Sequence, residues 1–175
     1  DPPFHPRMRQ EHGFNHIECG RLLCPVNMDW DDSKVRQGLR DGTITAHPAN
    51  FPLFLYENET CNLEDLFRGW LKGDLLVRAY LHVFRSPSSA IDEGTSEKST
   101  RRGNAALHSI RHVNIPSIAY VATIVRFVLS SQHSLTRGGS AGSWPHSAFY
   151  NNIIKMAFNT MDQVARKELL AWWDQ

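Results

Sequence analysis

Apolar residues recur at intervals of three and four along much of this chain, and that spacing limits its fold more than any other feature. The clearest run follows Pro116, a residue well suited to the first turn of a helix. Its apolar positions are Ile118, Val121, Ala122, Val125 and Val128 or Leu129. A buried pair of strands is the alternative for this run, because β-branched residues are dense in it. Strict alternation of apolar and polar residues is scarce elsewhere, so the sequence predicts an all-α fold.

Shorter helices are predicted on both sides of this run. Asp32 precedes Val35 and Leu39, which indicates a short helix with an acidic N-cap that ends at Gly42. A second amphipathic pattern runs from Phe149 to Phe158. The last predicted helix spans Met161 to Trp173, and its inward side chains are Val164, Leu169 and Trp172.

A longer helical pattern extends from Leu63 to about Phe84. Asn62 is a suitable N-cap for it, and acidic residues follow in the first turn. Gly69 and Gly73 interrupt the pattern. We therefore predict two helices in this region that share a corner.

The whole chain is predicted to form a single irregular helical domain of about five to seven helices. Its 175 residues, 41% of them hydrophobic, supply enough apolar surface for one core without metals or disulfides. Residues 1–18 are rich in proline and histidine and are predicted to form an extended N-terminal arm, with residues 19–175 as the helical domain. Residues 86–104 and 134–145 are predicted to be two long surface loops.

Cysteine usage and hydropathy restrict the compartment. Cys19, Cys24 and Cys61 are an odd and low number, which disfavours a secreted disulfide framework. The longest apolar stretch, Ile115 to Leu129, falls short of the roughly 20 residues needed to cross a bilayer. We therefore predict an intracellular protein of a reducing compartment without a membrane span, and a nuclear location is compatible with this.

Charge is unevenly distributed along the chain. Residues 1–97 contain fifteen Asp and Glu against ten Lys and Arg. Residues 98–161 contain seven Lys and Arg and not one acid. We call residues 98–161 the acid-free segment. A basic half of this kind indicates an anionic partner.

The acid-free segment begins with a group of side chains that contact phosphate well. Paired arginines, an amide and two histidines stand close together in a Ser- and Gly-rich setting. We predict nucleic-acid binding by Lys98, Arg101, Arg102, Asn104, His108, Arg111 and His112. The alternative is a solvated loop that keeps the protein in solution.

One group of residues has the chemistry of a zinc site. Two imidazoles and two sulfurs lie within thirteen residues, at His12, His16, Cys19 and Cys24. Their spacing matches no common zinc finger, so the alternative is an arm without metal in which Cys24 is buried. No cofactor is predicted, and zinc stays the weaker possibility.

Two other patterns have some of the features of metal sites, and one aromatic residue has the setting of a partner contact. Asp29, Asp31 and Asp32 have the oxygen ligands that Mg²⁺ prefers, but two of them lie where helix capping also explains them. His108 and His112 lack the intervening glutamate of a metalloprotease helix. No residue is predicted to be catalytic. Trp144 lies in the second loop and is predicted to be exposed to a partner.

Several stretches together carry a family resemblance. They are residues 14–16, 20–25, 29–32, 117–123, Arg126-Phe127, Phe149-Tyr150 and 169–173. With them the chain resembles a family of uncharacterised proteins found in many copies in mushroom-forming fungi. The resemblance implies one domain over nearly the whole chain and supplies no catalytic residue. Many copies in such genomes would also imply a tie to mobile elements or to their control, which is an association rather than a mechanism.

The sequence thus favours a non-enzymatic helical module that binds nucleic acid. The binding surface would be the loop around Arg101 and Arg102, which we call the basic loop, together with the rest of the acid-free segment. The first alternative is a protein-interaction or self-assembly module, in which the acidic half of one copy meets the basic half of another. The second is a metal-dependent enzyme that uses His12, His16 and Cys24, or the acids from Asp29 to Asp32.

Overall fold

The computed structural model describes residues 8–84, 112–135 and 144–175. In these ranges the fold is all-α, as predicted, and β pairing is limited to isolated bridges. The described ranges contain six α-helices. They are α1 (Ile17–Leu23), α2 (Ser33–Asp41), α3 (Asp74–Phe84), α4 (Ile115–Leu129), α5 (His146–Lys155) and α6 (Gln163–Trp173). None of these helices has the length and apolar character needed to cross a membrane.

Helix α4 is the centre of the core. Asn114 and Ser117 form a capping box, in which the Ser117 N–H donates to Oδ1 of Asn114 at 2.9 Å. Pro116 occupies the first turn, as predicted, and the run is a helix rather than a pair of strands. Most of its side chains are buried, and it packs against α1, α3 and α5. A helix that is apolar on nearly every face has to lie inside the molecule.

The short helix α2 confirms its sequence signals. The carboxylate of Asp32 accepts from the Lys34 N–H at 2.8 Å, and Gly42 follows the helix in the left-handed conformation at φ 81°. Leu39 is buried in a small cluster with Cys24, Trp30 and Ala46. The cluster lies beside the main core.

The prediction of two helices between Leu63 and Phe84 is wrong in its first half, because only α3 is helical. Oδ1 of Asn62 accepts from the Glu64 N–H at 3.0 Å, and the Asp65 carboxylate accepts from the Phe67 N–H at 3.3 Å. These local bonds compete with the helical ones and produce turns. The turns end in buried Trp70 and Leu71, and an isolated bridge joins Trp70 to Tyr56.

The part of the predicted N-terminal arm that the structure describes is folded rather than extended. Residues Arg9–Glu11 and Gly13–Asn15 form two 3₁₀ turns, and α1 begins at Ile17. His12 and Gly13 are buried, with Gly13 against the backbone of Ser131. The composition of this segment suggested a loop, but contacts with distant residues hold it in place.

The C-terminal helices agree with the prediction in outline. Helix α5 continues as a π-helical turn, Met156–Thr160, and Asp162 then caps α6 by accepting from the Val164 N–H at 2.7 Å. Leu169 is buried as predicted, whereas Val164 is exposed, so its inward assignment is wrong. Trp173 anchors the last turn by donating to the Leu71 carbonyl at 3.0 Å.

Candidate functional site

Most of the predicted nucleic-acid-binding residues lie outside the described ranges. Of the seven, the structure describes His112 alone. Its side chain is largely exposed, and Nδ1 lies 3.8 Å from a carboxylate oxygen of Asp174. Outside the described ranges lie Lys98, Arg101, Arg102, Asn104, His108 and Arg111.

The four weak zinc candidates are all buried. Nδ1 of His16 accepts from the Cys19 N–H at 3.3 Å and caps α1. Burial raises the pKa of the Cys24 thiol to about 11, and the pKa of Cys19 is also raised by burial. Within residues 8–84, 112–135 and 144–175, no three His, Cys, Asp or Glu side chains stand together as metal ligands.

Two of the three acids from Asp29 to Asp32 accept hydrogen bonds from the backbone. Oδ1 of Asp29 accepts from the Asp31 N–H at 2.9 Å, and Asp32 caps α2. For Asp32 this is the capping role that the sequence predicts as the alternative to a magnesium site.

A pocket lies between α4 and α5 in the described part of the acid-free segment. His146 at the start of α5 lies near Phe127 and Gln132 at the end of α4, so the two helices run antiparallel. The pocket has a volume of about 440 Å³ and no acid in its lining. It is lined by Tyr120, Thr123, Ile124, Leu135, His146, Ser147, Tyr150 and Asn151. We call this the α4–α5 pocket.

His146 forms the inner wall of the α4–α5 pocket. Its Nε2 lies 2.6 Å from Oε1 of Gln132, and its buried Nδ1 has no hydrogen-bond partner among the described residues. Burial and then the positive charge of Arg126 lower the pKa of His146 to about 4. The imidazole is therefore neutral at pH 7. With Nε2 donating to the amide oxygen, Nδ1 is left as an acceptor.

Arg126 lies beside this wall as a buried cation. It is only 4% exposed, and its guanidinium stacks 4.0 Å from the ring centroid of Trp144. Burial lowers its pKa to about 9, so it stays protonated at neutral pH. No carboxylate of the described residues pairs with it, and residues 136–143 contain no acid that could. The site therefore has a positive charge without a counterion from the surrounding segment.

Trp144 differs from its prediction as an exposed residue. Its indole Nε1 donates to the Ala46 carbonyl at 2.7 Å, and its ring contacts Phe149 and His146 as well as Arg126. It is partly buried and holds the start of α5 against the core. A partner therefore does not find a free indole at this position.

Arg9 supports the site from the N-terminal segment. Its Nη1 donates to the Gln132 carbonyl at 2.6 Å, and its guanidinium lies 4.3 Å from the Phe127 ring centroid. This contact fixes the end of α4 and the position of Gln132 beneath His146. The sequence analysis missed Arg9 and the pocket residues, and only Tyr120, a polar aromatic residue within an apolar helix, offered a signal.

The described residues also form a polar cleft and an apolar groove away from this pocket. A polar cleft of about 530 Å³ is lined by Glu57, Asn58, Thr60, Cys61, Asn62, Arg68 and Gly69. An apolar groove of about 240 Å³ lies between α3 and α4, lined by Leu75, Ala79, His82, Val83, Ile124, Val125, Val128 and Leu129. Neither combines aromatic walls with an unpartnered polar group, so the α4–α5 pocket is the better candidate site.

Comparison with known proteins gives one match. The model of a family described as "Family of unknown function (DUF6698)" matches residues 1–175. Curated proteins and solved structures provide no match to this chain.

Proposed function

The chain belongs to DUF6698, a family of unknown function, and from this starting point we propose that it is a non-enzymatic module that binds nucleic acid. The observation that carries the proposal is the acid-free segment, in which seven Lys and Arg occur without one Asp or Glu. Polyanions bind where like charges do not repel them. The described part of the segment adds exposed His112, His133 and Lys155.

The basic loop is assigned the phosphate contacts. Arg126 is buried and stacked on Trp144, so it does not reach a phosphate backbone on the surface. The positive surface charge of the acid-free segment must then come from its other bases, of which Arg101 and Arg102 are adjacent in sequence. Their guanidinium groups can each bind phosphate oxygens with two hydrogen bonds.

The biological setting belongs to the same proposal. The resemblance to proteins present in many copies in mushroom-forming fungi supports a role connected with mobile elements. A module of this kind would act inside the cell, where cysteines stay reduced and nucleic acid is available. The nucleus is one compartment that meets both conditions.

The proposal is tested by fluorescence anisotropy with labelled single- and double-stranded DNA and RNA. We expect affinity that falls steeply as salt is raised from low to near-physiological concentration, because phosphate contacts release counterions. Changing Arg101→Ala and Arg102→Ala together should weaken binding and reduce the slope of log affinity against log salt by about two. The matched control is Lys34→Ala with Arg68→Ala, which removes two exposed charges from the acidic half.

Two results would contradict this function in different ways. If the Arg101/Arg102 double variant binds as tightly as the wild type while both depend on salt, the assignment of the basic loop is wrong. If the wild type binds none of the four probes even at low salt, nucleic-acid binding itself is wrong.

The charge distribution also favours a second function, self-assembly. The first 97 residues carry five more acids than bases, and the acid-free segment carries seven bases. Two copies can therefore meet with opposite charges in contact, which is a head-to-tail arrangement.

A further inference from the structure

We propose that the α4–α5 pocket holds one unpaired base of a single-stranded nucleic acid, an inference that rests on the proposed function. The pocket belongs to the acid-free segment, and no acid lines it. A phosphate backbone can therefore pass its rim without meeting a negative charge from the lining.

The aromatic walls are the first argument. Tyr120 projects from α4 with 51% of its surface exposed, and Tyr150 lines the pocket from α5. Exposed aromatic rings that face a concave surface are the usual platforms on which single-stranded nucleic acids stack their bases. Stacking requires only a flat ring, so it tolerates any base sequence.

The size and polarity of the pocket are the second argument. Its volume of about 440 Å³ lies in the range of pockets that hold small planar ligands. Ile124 and Leu135 supply apolar surface, and Ser147 and Asn151 supply exposed polar groups. The lining thus offers apolar contact to a ring and hydrogen bonds to its edge.

The unpartnered nitrogen of His146 is the third argument. Nδ1 is buried in a side chain that lines the pocket and accepts no hydrogen bond from the described residues. A buried acceptor without a donor destabilises a protein, and Nδ1 is shielded while the pocket is empty. A ligand N–H group reaches it only when the imidazole turns toward the pocket, and it then removes that cost. Amino and ring N–H groups occur on the edges of adenine, guanine, cytosine, thymine and uracil.

The same geometry predicts a preference for single strands. In a duplex the base is stacked between neighbours and its pairing edge is occupied, so it cannot enter a pocket between two helices without being flipped out. An unpaired base enters the pocket at a smaller cost in free energy, because no base pair has to be broken. Single-stranded probes should accordingly bind more tightly than duplexes of the same length and charge.

The experiment uses single-stranded oligonucleotides that carry one 2-aminopurine, a base whose fluorescence falls when it stacks. We expect the wild type to quench the probe and to bind it more tightly than the matched duplex. Tyr120→Leu should lower single-strand affinity about tenfold and abolish the quenching, whereas Tyr120→Phe keeps the ring and should retain both. Phe158→Leu removes an equally exposed aromatic residue, 50% accessible, outside the pocket and should change neither.

Failure of this inference is distinguishable from failure of the proposed function. If the wild type binds single strands and duplexes equally, in a salt-dependent manner, and Tyr120→Leu is unchanged, the pocket does not hold a base while nucleic-acid binding stands. If no oligonucleotide binds at low salt, both fall. Adenosine monophosphate is titrated in parallel by NMR, and saturation of Tyr120 and His146 signals without oligonucleotide binding would make a free nucleotide the occupant and overturn the strand assignment.

Discussion

Arg126 and His146 form an unusual neighbouring pair for the interior of a protein. A buried guanidinium ordinarily has a carboxylate beside it, because an isolated charge is expensive to remove from water. Here the guanidinium stacks on the face of Trp144, and its charge acts on the neighbouring imidazole of His146. The lowered pKa keeps the His146 imidazole neutral at pH 7, so Nδ1 remains a hydrogen-bond acceptor.

This arrangement predicts a specific dependence of stability on pH. The pKa of His146 is about 4 in the folded protein against an ordinary 6.5, so below pH 6.5 the unfolded chain takes up a proton that the folded protein refuses. Stability is then lost as pH falls from about 6.5 to about 4, by up to about 3 kcal/mol from this group. Urea denaturation at pH 7 and pH 4.5 measures the difference, and His146→Gln should show a clearly smaller one.

His133→Gln is the matched control for this prediction. His133 is an exposed histidine of the same segment, so its replacement should leave the pH dependence of the wild type in place. If His146→Gln loses as much stability between pH 7 and pH 4.5 as the wild type does, His146 is not the group responsible.

Among the elements of the fold, the ends of helices α2 and α4 were easier to predict from the sequence than the turns after Asn62. Capping residues and prolines act locally, so Asp32 and Gly42 for α2, and Pro116 for α4, indicated their helices from the sequence alone. The stretch after Asn62 has the same apolar spacing as a helix. Its side chains bond their own backbone instead, and the burial of Trp70 depends on distant contacts that local spacing does not encode.

The α4–α5 pocket could not be predicted from the sequence, for a related reason. The α4–α5 pocket exists because two helices separated by sixteen residues of sequence run antiparallel, which brings Tyr120 to the same hollow as Tyr150. Arg9 reaches the carbonyl of Gln132 across 123 positions of sequence. Contacts over such distances depend on the packed fold. The uneven distribution of charge, by contrast, follows directly from the positions of the charged residues in the sequence.

The junction before α3 offers a test of close packing between segments. A methyl group on Gly73 would overlap the carbonyl oxygen of Phe54, a backbone atom that cannot give way easily. We expect Gly73→Ala to lower the free energy of unfolding by about 3 kcal/mol, near the upper end for overpacking. Gly42→Ala is the comparison, because its left-handed backbone is strained by a side chain but the space around it is open, and it should cost only about 1 kcal/mol.

Urea denaturation of both glycine variants measures the two costs. Equal losses for Gly73→Ala and Gly42→Ala would mean that the 53–55 turn can move aside from α3. The close approach at Gly73 would then contribute little to the stability of the fold.

For the whole molecule, the two proposed functions, nucleic-acid binding and self-assembly, would both use the basic acid-free segment, so we predict that they compete for it. If the acidic half of one copy binds the basic half of the next, light scattering should show a mass above that of a monomer at low salt and a monomer at high salt, because screening weakens the contact. Changing Arg101→Ala and Arg102→Ala together should shift the equilibrium toward monomer at low salt, whereas Lys34→Ala with Arg68→Ala should not.

Addition of an oligonucleotide shows whether the two functions share their surface. A strand that occupies the basic half displaces the acidic half of the neighbouring copy, so saturating oligonucleotide at low salt should reduce each assembly to single copies of the protein bound to nucleic acid. A protein that stays monomeric at every salt concentration contradicts self-assembly and leaves the basic half to its anionic ligand. An assembly that persists under saturating oligonucleotide means that the copies associate through a different surface, and charge complementarity between the two halves is then not what joins them.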